Sequence, residues 1–147
     1  VYVGSSTSNL LYKINLTTKQ LVQSIDLGGS HISLQKPGTG SSIYALVNKN
    51  GIGHLSIINE ATNTVAQDLS LGSVATKMKL NLDASKAWVT NESGNEVKVV
   101  DLVNLSVVNT LAVNSPLDVA FGYINSKSTA NIPPLASFTY TSPQGVA

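Results

Sequence analysis

The sequence predicts an all-β chain, a partial β-propeller of about three four-stranded antiparallel blades. Three observations carry this. The triplets Val1-Tyr2-Val3, Ile43-Tyr44-Ala45 and Ala87-Trp88-Val89 stand in one register, at intervals of about 42 to 44 residues. The strand ends Asn15, Asn59 and Asp101 keep the same spacing, as do Gly28, Gly72 and Asn114. Each period also holds short apolar runs separated by turn residues, which is the content of one blade.

Within a unit, the aromatic strand comes second. Tyr2, Tyr44 and Trp88 recur once per period, so packing between blades is expected of them before a carbohydrate platform. The third strand is Leu11-Tyr12-Lys13-Ile14, then Leu55-Ser56-Ile57-Ile58, then Val97-Lys98-Val99-Val100. Such runs, aliphatic at most positions, suit a strand covered on both faces. Each closes on Asn or Asp, whose side chain can accept a backbone N–H two residues on and start a turn. The outer strand alternates: Leu21, Ile25 and Leu27 match Val65, Leu69 and Leu71, then Val107, Leu111 and Val113. The amides between them, Gln23, Gln67 and Asn109, are expected to be exposed. Residues 31–34, 77–80 and 117–121 fill the innermost position.

Along the chain, residues 1–28 supply three strands of a blade without its innermost one. Residues 29–72 and 73–114 make complete blades, and 115–123 supply one more innermost strand. Asn50-Gly51 is the strongest hairpin signal. Closed rings need about four to eight blades, so this chain is expected to be a piece of a ring of about seven. The remaining blades of the same chain would be its first partners, and standing alone it would expose blade edges and faces. Residues 124–131 read as a linker. Residues 132–147 open a new module, in which Pro133-Pro134 precedes one alternating, truncated strand.

Composition narrows the function classes. Hydrophobic residues make up 42% and charged residues 12% of 147, with a net charge of +1, which marks a globular chain. All nine basic residues are lysines, and the missing guanidinium fork argues against a nucleic-acid partner. Without cysteine there is no disulfide, cysteine-held zinc or thiol nucleophile. No run approaches the roughly 18 apolar residues of a membrane span, so direct membrane insertion is not expected. Val1 opens inside a strand without Met, so the N-terminus reads as a cut and the lack of a leader says little.

Few residues carry chemistry. His31, at the start of an innermost strand, could face a central channel and act as ligand or base, but no spaced partner accompanies it. Lys77 and Lys79 share one face of another innermost strand and could meet an anion in that channel. His54 falls in a hairpin loop, and Asp83 and Asp101 have turn-forming roles. Glu92 and Glu96 flank one hairpin, too few carboxylates for calcium. No Gly-x-Ser-x-Gly elbow is present. No catalytic residue, cofactor or metal site is therefore expected. Asn15, Asn91 and Asn104 match the Asn-x-Ser/Thr glycan acceptor, each in a predicted turn.

Trp88-Val89-Thr90-Asn91, Val97-Lys98-Val99-Val100-Asp101 and 107–113 together resemble the YVTN-type β-propeller repeat. Trp88 stands where that family has tyrosine, while Tyr2 and Tyr44 keep it. The family's Pro–small–apolar innermost strand is best matched at Pro116-Leu117-Asp118-Val119-Ala120; His31 and Ala75 replace that proline in the other copies. The resemblance covers residues 1 to 123. Residues 133–140 resemble the opening strand of a PKD-type domain, which implies that the module from 132 begins with a truncated Ig-like β-strand. Together these imply a secreted cell-surface or surface-layer protein, with other surface proteins or glycans as partners. Loops 48–53 and 91–95 would make the contacts. The YVTN type also resembles propeller lyases and dehydrogenase subunits. An enzyme with a channel site built on His31 and Lys77 is therefore the alternative expectation.

Overall fold

The computed structural model describes residues 1–122, so the linker at 124–131 and the Ig-like start at 132–147 lie outside the described residues. Three antiparallel sheets follow one another along the chain. The first holds β1 (Tyr2–Gly4), β2 (Leu10–Ile14) and β3 (Leu21–Asp26). The second holds β4 (Ser30–Gln35), β5 (Ser42–Lys49), β6 (Ile52–Asn59) and β7 (Thr64–Ser70). The third holds β8 (Lys77–Leu80), β9 (Lys86–Asn91), β10 (Glu96–Asp101) and β11 (Ser106–Ala112). Sequence order and spatial order coincide in each, so every sheet is a meander and the arrangement is that of a partial propeller.

The same corner is built three times. Asn15 Oδ1 accepts the N–H groups of Thr17 and Thr18, Asn59 Oδ1 those of Ala61 and Thr62, and Asp101 Oδ1 those of Val103 and Asn104. Four residues after each acceptor the chain turns left-handed, at Lys19, Asn63 and Leu105, with φ of 58°, 54° and 47°. A short acceptor satisfies the turn's N–H groups from inside, which holds even a leucine in that conformation. The β5–β6 hairpin has a two-residue loop, Asn50-Gly51, with φ of 52° and 84°, as a type I′ turn requires.

One regular feature had no sequence expectation. β3, β7 and β11 each bulge at the same level against the middle strand, with Val22, Ala66 and Val108 as the unpaired extra residue. A bulge increases local twist, so the repeated bulge gives all three sheets the same propeller-like warp. The amide after it, Gln23, Gln67 or Asn109, is exposed in every copy.

Two apolar clusters hold the stack. Leu11, Ile25 and Leu27 of the first sheet meet Ile43, Ala45, Val47 and Ile58 of the second. Leu46, Leu55 and Leu71 on the second sheet's other face meet Met78, Ala87, Val89, Val100 and Leu102 of the third. β5 thus alternates between clusters because successive side chains point to opposite faces. The repeated aromatics always look forward: Tyr2 packs on the cluster shared with the second sheet and Tyr44 on that shared with the third. Trp88 meets Phe121 edge to face at 5.8 Å and 76°.

The ends of the stack are uncovered. The last core position of the outer strand is 1% exposed at Leu27 and 4% at Leu71 but 41% at Val113. At the front, Ala45 and Val89 are 0% and 2% exposed and their counterpart Val3 is 45%. The innermost strand expected over 115–123 is corrected here: residues 113–122 join no ladder. An innermost strand pairs with the second strand of its own unit, and no such strand follows among the described residues. The segment is instead held by Phe121 on Trp88 and by Asp118 on Lys77, 2.9 Å away.

Candidate functional site

The sequence-selected residues are not gathered into one site. His31 is the second residue of β4, but its ring lies across the seam, on Gly4 of β1, where any Cβ would collide with it. Its backbone N–H reaches Ser5 O at 3.3 Å, and its Nε2 is buried with no partner. Burial pushes the imidazole below its ordinary 6.5, and a backbone bond to Ser33 opposes this only in part. His31 is thus a wedge between sheets. Lys77 is exposed and paired with Asp118, and Lys79 is a half-buried neighbour on the same strand face. Both face the segment 117–121, because Met78 between them belongs to the seam with the second sheet.

Among the three glycan acceptors, Asn15 and Asn104 are exposed at equivalent corners. Asn91 is corrected: it is 4% exposed and its Nδ2 donates to Glu96 at 3.0 Å, so the nitrogen a glycan would need is buried and engaged. Its Oδ1 meanwhile accepts the N–H of Gly94, shaping the 92–95 hairpin from within.

What the sequence reading missed is a pair of polar clusters, one at each seam, each centred on one carboxylate. Asp68 on β7 accepts from Ser56 Oγ at 2.6 Å and Lys49 Nζ at 2.9 Å, and pairs with His54 Nδ1 at 2.8 Å. Burial pushes Asp68 up, but these three partners outweigh it and hold the carboxyl below its ordinary value. Glu96 on β10 accepts from Ser73 Oγ at 2.7 Å and Asn91 Nδ2, with Lys98 at 3.4 Å, and is likewise held low, first by Ser73. Both clusters sit on the face turned to the preceding sheet: Ser56 pairs in register with Ala45, and Lys98 with Val89. The signal was present as polar residues breaking the aliphatic third strand at Ser56 and Lys98. In the first seam the carboxylate stands between the hydroxyl and the imidazole. Ser56, 0% exposed, gives its proton to Asp68, and no base faces it, so the trio is not a nucleophile relay.

The exposed polar surface lies at the hairpins. Glu92, Ser93 and Asn95 border a groove completed by Val74, Thr76 and Ser115. A second groove runs between loops 35–39 and 80–84. Among the described residues, no group of three or more histidines and acids is placed to hold a metal, and no helix is long and apolar enough to cross a membrane.

No protein-family model and no curated protein sequence matches the chain. Solved structures do. The dihydro-heme d1 dehydrogenase NirN, in complex with DHE, superposes with a TM-score of 0.68 at 18% identity, over 78% of this chain and 26% of that one. Hydrazine synthase of Kuenenia stuttgartiensis superposes with a TM-score of 0.69 at 12% identity, over 78% and 33%. AztD of Citrobacter koseri gives 0.62 at 13% identity, over 76% and 32%. This chain spans about a quarter to a third of their lengths. At such identities the likeness is one of fold.

Proposed function

We propose that the chain is part of a non-enzymatic, extracellular or cell-surface scaffold of YVTN-type blades. Its hairpin loops contact other surface proteins or glycans, and the PKD-like module from residue 132 spaces them from the envelope. The observation that carries this reading is the groove beside the 92–95 hairpin. There Glu92, Ser93 and Asn95 present exposed polar groups on a turn fixed by buried Asn91. A rigid turn on a stacked core loses little entropy on binding, which suits weak contacts multiplied over many copies. The remaining blades of a ring of about seven would supply those copies and cover Val3 and Val113.

The test is binding of the chain to a glycan array and to purified envelope polymers. Replacement of Glu92, Ser93 and Asn95 by Ala is expected to lower binding at least about tenfold with the fold intact, consistent with losing a few hydrogen bonds. A second reading, an enzyme or enzyme subunit with a channel site, takes its support from the names of a dehydrogenase and a synthase among the similar structures. On that reading, His31→Ala or Lys77→Ala in the complete protein abolishes a measurable turnover while folding is kept. That result would replace the scaffold reading.

A further inference from the structure

The two seams differ at one equivalent slot. Two residues after the repeat aromatic stand Gly4, Leu46 and Thr90. At the second seam Leu46 fills this slot with a leucine side chain, packed with Ala75 and Met78. At the first seam Gly4 brings none, and the His31 imidazole from the next sheet takes up the space. A titratable ring thus does the work of an aliphatic one. Its Nε2 is buried without a partner, so a second proton there would have no acceptor. The strands packed around β4 are β1, β2, β5 and β8, and their ionisable groups are Tyr2, Tyr12, Lys13, Tyr44, Lys49, Lys77 and Lys79. None is an acid. Lys13 is already held by Glu60 O and Asn63 Oδ1, and Lys49 by Asp68.

We propose that the first seam is a proton-operated joint, and that protonation of His31 loosens the first sheet from the second. The neutral ring fits the Gly4 slot; the imidazolium, without a carboxylate in reach, must leave it for water. Released, the ring uncovers the cluster of Leu11, Ile25, Leu27, Ile43 and Val47. The sign is that of a basic group with a lowered folded-state value. Its contribution is complete above 6.5 and is lost as pH falls through the lower value of the folded state. The second seam, with Leu46 in the slot, has no such dependence.

Hydrogen exchange of the full chain between pH 7.5 and 5, corrected for intrinsic rates, tests this. Protection of 2–26 and 30–35 is expected to fall below pH 6.5, by at most about tenfold per pH unit, the ceiling for one proton. Protection of 86–112 should hold. His31→Leu should flatten the profile. A flat wild-type profile, or an equal loss in His31→Leu, overturns the proposal. Should His31→Leu fail to fold, the two imidazole resonances of the wild type decide: His31 must titrate below 6.5, and a midpoint at or above that value overturns it.

Discussion

Asp68 and Glu96 do the same job in successive seams, gathering donors that the neighbouring sheet would otherwise bury unpaired. Both carboxyls are held below their ordinary 3.8 and 4.5. Their contribution is therefore complete above those values and is lost as pH falls through the lower values of the folded state. The urea midpoint should drop in that acid range, and Asp68→Asn with Glu96→Gln should lower it at neutral pH while flattening its acid limb. Asn59→Ala removes the acceptor of two turn N–H groups and is expected to cost about 1 kcal/mol, read from the same urea midpoint. Gly4→Ala forces a Cβ into the His31 ring and is expected to cost about 1–3 kcal/mol by that measure. Turn acceptors such as Asn15, Asn59 and Asp101 were legible in the sequence because their partners lie two and three residues away. The partners of Asp68 and His31 come from other strands, and no local spacing announces them.

At the scale of elements, hairpins and bulges divide along the same line. Asn50-Gly51 declares its own turn, and Gly51 sits at φ 84° where a side chain is strained. Gly51→Ala is expected to lower stability by about 1–2 kcal/mol, measured as a shift in thermal midpoint, with the register of β5 and β6 kept. The bulges at Val22, Ala66 and Val108 were not legible. A bulge is a relation between two strands, and here the alternation of β3, β7 and β11 continues across it in letters though not in pairing. Deleting Ala66 should remove the bulge and its extra twist while leaving Gln67 opposite Ile57 and Asp68 opposite Ser56, so the acid limb set by Asp68 in the urea midpoint is expected to persist.

At the scale of the molecule, the number and order of strands followed from the repeat, since every sheet is a meander. The fate of 117–121 did not, because pairing there depends on strands of the next unit. The uncovered positions at both ends of the stack give the isolated chain sticky faces. Light scattering after gel filtration is expected to show self-association that Val3→Lys and Val113→Lys together reduce. Stability in such a stack is a sum over seams, as in other repeat arrays. The Gly4 slot adds a rule about order. A unit that brings an imidazole to that seam fits behind a unit that carries glycine, whereas a unit that carries Leu46 has no room for the ring. The blades therefore behave as jigsaw pieces with individual edges. A gene that shuffled or duplicated them at random would keep its reading frame and its repeat, and lose its fit.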